Sequence, residues 1–300
     1  MDVLRTTASE WQDRLQHGET TSRFLTASCL EQIKHHNKSG MRLNALISMM
    51  PEQLALEQAA VLDYERASGK LRSPLHGIPI IIKDTFPTDG SLGMPTTVGA
   101  AGLATAYGKQ NCLLVQRLLD AGMIILGKGN LTEFCGLKTS MRVGWSALGG
   151  QTQSPYMKGG VKEDEAPVGH TMIAGSSSGP AASVAAGFAP LAIGTETTGS
   201  LVAPANRAGL HSLKVTPERA PKAGTFCLSK TYDSLGGMAK SAKDLRALTS
   251  VIMNKDVSSG RAAGSETLRV GFVDSKAWQW PDIVCELSQS TRDELVRPIW

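Results

Sequence analysis

One short run constrains this chain more than any other: Ile78, Ile80, Ile81 and Ile82 follow one another closely and stop at Lys83 and Asp84. So dense a β-branched run leaves no polar face, which predicts a strand buried on both sides, as in a parallel sheet covered by helices. Such a strand delivers its terminal polar pair to the rim of the sheet. A lysine in that place either snorkels to water or is held in a partly buried site where desolvation lowers its pKa. Only the second arrangement yields an amine able to take up a proton.

The surrounding pattern supplies the helices. Thr7 followed by Glu10 fits a capping box, and Leu25, Cys29 and Ile33 recur at every fourth position. Pro51 is placed to open a third helix reaching about Tyr64, and Gly69 to Pro74 reads as the loop that ends this layer. Asn111 to Ala121 reads as an amphipathic helix closed by Gly122, and Met123 to Leu126 as a second buried strand. Helix followed by strand is an α/β signature. Gly149 to Gly169 is polar and glycine-rich, with Glu163, Asp164 and Glu165 together, and is expected as a surface excursion. A Gly/Ser loop (Gly175 to Gly179), a small-residue helix (Ala181 to Ala186), a strand (Leu191 to Thr195), a small-residue turn (Thr197 to Ser200) and a helix to Ala208 follow. With no repeat or heptad run, one domain over 1–300 is expected, a helical layer over about 1–70 preceding an α/β core over about 75–300.

Composition removes several function classes. A chain of 300 residues with 41% hydrophobic and 19% charged residues lies in the ordinary globular range. Met1 to Trp11 carries Asp2, Arg5 and Glu10 and lacks the apolar core of a signal peptide, so a cytoplasmic location is expected. Thr171 to Thr195 is uncharged, but Ser176, Ser177, Ser178, Gly179 and Pro180 would break a spanning helix. Cys29, Cys112, Cys135, Cys227 and Cys285 are odd in number and form no C-x-x-C, which predicts reduced thiols rather than disulfides or structural zinc. The net charge of +4 is spread out, and its densest region, Lys34 to Arg42, reads as a solvated helix end rather than a nucleic-acid footprint. Gly122 to Lys128 has phosphate-loop spacing, but its middle is apolar and Gly129 stands where Ser or Thr should meet magnesium, so nucleotide binding is not expected.

Two loops could carry chemistry. In Gly175-Ser176-Ser177-Ser178-Gly179, small residues let the backbone approach a bound group while the hydroxyls donate and accept, although such clusters also serve as plain connectors. In Thr195-Glu196-Thr197-Thr198-Gly199-Ser200, a turn between strand and helix could aim successive N–H groups at one point near the Ser200 hydroxyl. The alternative for Ser200 is an ordinary helix N-cap. A neutral lysine can accept a proton from a serine, so Lys83 beside either loop would make a Ser/Lys pairing in place of Ser/His.

Taken together, the three segments resemble the amidase signature enzymes. Gly77-Ile78-Pro79-Ile80-Ile81-Ile82-Lys83 matches that family's G-[IV]-P-x-x-x-K strand, Ala174 to Gly179 its G-G-S-S-G-G loop, and Glu196 to Ser200 its [DE]-x-G-G-S segment. The likeness continues through Gly127-Lys128-Gly129-Asn130 with Glu133, Pro204-Ala205 to Leu213-Lys214, and Asp233 to Met238. It implies an amidase-signature α/β fold, a mixed sheet flanked by helices, with the C-terminal part missing because family members are longer. It also implies that Lys83 is the base, Ser176 a bridging serine in a cis peptide and Ser200 the nucleophile. Thr197, Thr198 and Gly199 would form an oxyanion hole, and Cys135 and Ser176 would lie near the substrate. The implied reaction is hydrolysis of a small-molecule amide through an acyl-enzyme, without cofactor or metal. A homodimer is possible, and from composition neither a nucleic-acid partner nor a membrane span is expected.

The match has gaps. The family's Arg two residues after the nucleophile is Val202 here, so Glu196 is expected to lack its cation, and an unpaired buried carboxylate is costly. Ala174, Pro180, Thr198 and Val215 also depart from the pattern, and Leu268 to Val273 resembles a strand from the middle of the full domain. Other readings remain open: a weak or inactive amidase-like binding protein, an amidotransferase-type subunit, or an α/β-hydrolase elbow in G-x-S-x-G with Ser177 as nucleophile. For that elbow the sole later histidine, His211, follows too closely.

Overall fold

The computed structural model describes residues 2–138, 142–166 and 169–257, together with Asp274, Pro281 and residues 288–295. Helices α1 (Ala8–Gln16) and α2 (Ser22–His36) lead into β1 (Leu46–Met49), α3 (Glu52–Ala67) and β2 (Pro79–Lys83). Then come α4 (Leu113–Asp120), β3 (Ile124–Gly129) and a small hairpin of β4 (Trp145–Ser146) and β5 (Gly150–Gln151). Next are α5 (Ser178–Ala185), β6 (Leu191–Glu196), α6 (Val202–Arg207), β7 (His211–Lys214), β8 (Ser234–Ala239) and α7 (Ala242–Met253), with α8 (Gln289–Leu295) beyond. The Leu268 to Val273 strand expected from sequence, and Cys285, lie outside the described residues.

Six strands form one mixed sheet in the order β1-β3-β2-β6-β8-β7. β2 runs parallel to both neighbours, β3 and β6, with Ile82 opposite Ile193. Every residue of β2 and β3 is buried, as the isoleucine run predicts. Helix α5 packs on β2, β3 and β6, while α3 and α4 cover β3 and α7 covers β7 and β8. Parallel strands end on the same side, so the last residues of β2 and β6 meet at one edge, where open α/β sheets place their ligands.

Differences from the sequence reading have local causes. The capping box forms: the Thr7 side chain accepts from Glu10 N–H while Glu10 Oε2 accepts from Thr7 N–H at 2.7 Å. Asp244 of α7 also accepts from the N–H groups of Ala8 and Ser9, at 2.9 and 2.8 Å, and so seats the first turn of α1 on α7. Pro51 is the N-cap of α3 rather than its first helical residue. Strand β1 escaped the sequence reading because Leu46–Met49 offers only four residues, one of them fully buried. The small-residue helix starts earlier, at Ser178, and its Gly179 passes close against the backbone: a Cβ there would lie 2.2 Å from Ala45 O and from Asn130 N.

A second buried lysine organises the same edge. Lys128 Nζ, wholly buried on β3, donates to Phe86 O at 2.6 Å and Thr96 Oγ1 at 2.7 Å and stands 3.8 Å from Asp84 Oδ1. Asp84 follows Lys83 directly, and its carboxylate accepts from the Thr97 hydroxyl, from Thr97 N–H at 3.1 Å and from Gly99 N–H at 3.4 Å. This pair ties the loop after β2 to the sheet. Burial pushes the Lys128 ammonium down to about 8, with Asp84 pulling the other way. Burial likewise lifts the Asp84 carboxyl.

Lys128→Met would leave Asp84 without its counter-charge in a fully buried site, and is expected to lower unfolding free energy by about 3 to 5 kcal/mol in urea titrations. The folded amine titrates near 8 and the unfolded one at 10.5. The unfolded chain therefore binds the proton more tightly in that window, so the wild-type stability should rise with pH from 8 toward 10.5, and part of that slope should vanish in the variant.

Candidate active site at the ends of β2 and β6

At the edge where β2 and β6 end together, Lys83 is wholly buried and does not snorkel. Its Nζ donates to Ser176 Oγ at 2.7 Å, to Thr195 Oγ1 at 2.9 Å and to Thr195 O at 3.5 Å. Burial pushes the Lys83 amine below the ordinary lysine value, against the opposing pull of Cys135, Asp233 and Glu196. An amine so placed is a stronger candidate for the neutral form than any solvated lysine. The Gly175–Ser176 peptide is cis, as the resemblance implied, and Thr132 N–H donates to Ser176 O at 3.1 Å.

Ser200 lies on the turn between β6 and α6. It shares one small cavity with Ser176, Thr195, Thr197, Cys135, Phe226, Leu228 and Asp233. Ser200 is partly exposed and its carbonyl accepts from Ser177 N–H at 3.0 Å, which locks the two loops together. It is not the N-cap of α6: that position belongs to Leu201, and no side chain caps the helix. The three neighbouring serines differ in their surroundings. Ser177, the elbow candidate, is wholly buried, and its hydroxyl donates to Thr195 O at 3.1 Å and accepts from Thr195 N–H at 3.3 Å. Ser178 is buried against Thr152 at 3.2 Å. Only Ser176 both touches the lysine and faces the cavity.

The turn over Thr197, Thr198 and Gly199 is held from outside. The Thr197 hydroxyl donates to Asp233 Oδ1, Lys214 Nζ donates to Thr197 O at 2.8 Å, and Gly199 takes a left-handed φ of +77°. The N–H groups of Thr197, Thr198, Gly199 and Ser200 have no acceptor among the described residues. Burial acts to raise the Asp233 carboxyl, but hydrogen bonds from Thr197, Ser229 and Leu228 outweigh it and hold the group below the ordinary aspartate value.

The expected gap at Val202 does not leave Glu196 stranded. Glu196 Oε2 accepts from Leu201 N–H at 2.8 Å and Val202 N–H at 2.9 Å, and Lys214 Nζ stands 3.6 Å from its Oε1. Lys214 therefore supplies from β7 the positive charge that position 202 lacks, while the Val202 side chain is exposed. Sequence reasoning noted Lys214 only as part of a matching stretch, since nothing in spacing shows that β7 turns its last residue toward β6. Thr195 was likewise read as a strand end rather than a partner of Lys83.

Cys135 lines the same cavity, with Sγ 4.0 Å from Thr195 Oγ1. It belongs to a tight 3-10 turn, Glu133–Gly136, in which Phe134 and Cys135 both have positive φ, and Phe134 N–H donates to Val98 O at 3.1 Å. Glu133 anchors that turn by accepting from Ala147 N–H at 2.8 Å and Lys138 Nζ at 2.7 Å. Asn130 bridges Asn44 O, Gly150 O and Ser146 Oγ beneath it. A larger cleft of about 710 Å³ opens elsewhere, beside Arg72, Arg117 and Arg246, and contains none of the Lys83 network.

The ends of parallel strands β2 and β6 thus bury a lysine against a serine loop at one edge of a mixed α/β sheet. Residues 25–295 match the amidase family model, and the chain belongs to that family. It is 36% identical over 258 residues to a glutamyl-tRNA(Gln) amidotransferase subunit from Chloroflexus aggregans, a match covering 86% of this chain and 48% of that protein. The native peptide amidase of Stenotrophomonas maltophilia superposes with a TM-score of 0.75 at 37% identity, over 86% of this chain and 51% of that one. An amidase family protein from Bacillus anthracis superposes at 0.76 with 35% identity, over 85% and 48%. The chain thus spans about half the length of the proteins it matches. Among the described residues no helix is long and apolar enough to cross a membrane.

Lys214→Met removes the cation beside Glu196 and the bond to Thr197 O. The expected result is a loss of about 1 to 2 kcal/mol in stability, read as a lowered urea midpoint.

Proposed function

We propose that this chain carries the catalytic centre of an amidohydrolase, in which Ser200 attacks the carboxylic amide and Lys83 with Ser176 relays the proton. The observation that carries this reading is the buried Lys83 amine 2.7 Å from the Oγ of Ser176, a serine that lines the same cavity as Ser200. Ser176 takes the proton from the Ser200 hydroxyl as the new carbon–oxygen bond forms and passes its own to neutral Lys83. The relay then runs backward: the lysine proton reaches the leaving nitrogen through Ser176 as the carbon–nitrogen bond breaks. Water attacks the resulting ester by the same path and releases the acid. The N–H groups of Thr197, Thr198, Gly199 and Ser200 hold the oxyanion, each such donor being worth about a hundredfold to a thousandfold in rate.

Membership of the amidase family and the likeness to peptide amidases support amide hydrolysis as the chemistry. The likeness to amidotransferase subunits favours a second reading, in which the chain works within an amidotransferase assembly. Affinity purification from its native cells separates the two: stoichiometric co-purification of a second protein supports the assembly, and a chain that hydrolyses amides alone supports the first.

Labelling with a fluorophosphonate followed by peptide mapping should modify Ser200. Ser200→Ala and Lys83→Met should each abolish labelling, with amide turnover falling at least about a thousandfold. Adduct formation at Ser177 instead would restore the elbow reading, and no adduct at any serine would favour a binding protein. The neutral amine is the active form, so kcat/KM should climb with pH and level off once Lys83 has lost its proton, with a midpoint below 10.5.

A further inference from the structure

We propose that residues 216–232 are a lid closed over the catalytic serines and latched by Asp233 to the oxyanion turn, a reading that rests on Ser200 and Lys83 being the catalytic centre. The cavity beside Ser176 and Ser200 has room for about one water molecule, about 10 Å³. Even acetamide is several times larger. Part of the wall must therefore move before an amide carbonyl can reach Ser200. Most of that wall is tied down. Ser177 N–H donates to Ser200 O at 3.0 Å and the Ser177 hydroxyl donates to Thr195 O at 3.1 Å, which joins the serine loop, β6 and the turn before α6. Glu133 holds the turn carrying Cys135 by accepting from Ala147 N–H at 2.8 Å. The remaining wall is Phe226, Leu228 and Asp233, from the segment between β7 and β8.

That segment is built to lift. Residues 216–232 contain neither helix nor strand, and Pro221 alone among them is buried. Their ends are pinned together where β7 meets β8: Ser234 Oγ donates to Val215 O, and Val215 N–H donates to Leu235 O at 3.0 Å. Between those ends many hydrogen bonds stay inside the segment, as from Thr225 Oγ1 to Lys222 O at 2.7 Å and from Lys222 Nζ to Lys230 O at 3.1 Å. Few reach outward among the described residues. Phe226 N–H donates to Thr85 O at 3.0 Å, Leu113 N–H donates to Ala223 O at 3.3 Å, and the Phe226 ring rests against Phe134 with centroids 6.0 Å apart. A stretch with so little buried surface belongs to the low-stability end of a fold, from which active-site lids are drawn. Asp233 sits buried at its base with a divided carboxylate. Oδ1 accepts from the Thr197 hydroxyl, and Oδ2 accepts from Leu228 N–H and, at 3.0 Å, from Ser229 N–H. Lifting the lid strips Oδ2 of both donors and leaves the carboxylate to Thr197 and water. One charged group thus joins the lid to the turn that carries Ser200.

The test is amide hydrogen exchange, resolved by residue, on the full chain before and after a small alkyl fluorophosphonate has modified Ser200. The amides of Phe226, Leu228 and Ser229 are expected to exchange together, at least about a hundredfold faster than those of β8 in the centre of the sheet. Once the adduct occupies a cavity made for one water, the same three amides should exchange about tenfold faster again, with β8 unchanged. Asp233→Asn should speed exchange at Phe226, an amide it does not touch, by about tenfold, the difference between a charged and a neutral acceptor. If that variant fails to fold, Asp233→Glu, which keeps the charge but displaces it, is read in the same way. Lid amides as slow as those of β8, or unchanged when Ser200 is modified, overturn this inference alone. So does an Asp233 variant whose effect stops at Leu228 and Ser229. Absence of any adduct at Ser200 overturns the catalytic reading and this inference with it.

Discussion

Placing an ammonium group inside a sheet costs several kcal/mol unless its protons find acceptors or it gives one up, and the arrangement around Lys83 answers that demand. The residue sits at the last position of β2, where two neighbouring strands and a covering helix exclude water. Ser176 and Thr195 supply its acceptors from the loop before α5 and from β6. Each of those must be held in place by something else, and much of the surrounding structure does this. Ser177 knits the serine loop to β6, Ser200 O accepts from Ser177, and Asn130 and Gly179 fix the start of α5 against β3. The placement of the Lys83 amine and the stability of this edge are therefore one problem. Removing an acceptor leaves a buried polar group unpaired.

The two buried lysines make a useful contrast. Lys128 stands beside a carboxylate and between a carbonyl and a hydroxyl, wholly buried, so it serves as an anchor. Lys83 has hydroxyls for neighbours, with carboxylates acting only from farther off, and its serine partner faces a cavity. Similar burial thus comes with different partners, a nearby ion in one case and hydroxyls in the other.

Much of this was legible in the sequence because it depends on short-range patterns. The isoleucine run ending at Lys83, the capping box of Thr7 and Glu10, the period of Leu25, Cys29 and Ile33, and the two loops of small residues each report a local preference, and the structure realises them. The polar stretch after Gly149 likewise lies largely at the surface. What could not be read were contacts between segments distant along the chain. Lys214 reaches Glu196 only because β7 and β6 flank β8, and Phe226 reaches the cavity only because its segment folds over Thr85. The concern over Val202 arose from comparing single positions, whereas the charge is furnished by a different strand. β1 was missed because four residues pairing with β3 at an edge carry almost no periodic signal.

The seating of α1 on Asp244 carries a consequence for how the chain is made. The first helix draws two of its amide partners from a side chain more than two hundred positions later, and Lys240 Nζ reaches back to Val3 O at 2.7 Å. On a ribosome α1 emerges more than two hundred residues before α7, and cannot settle until α7 has followed it. Until then its apolar face, with Trp11 and Leu15, stands open to chaperones and to neighbouring nascent chains.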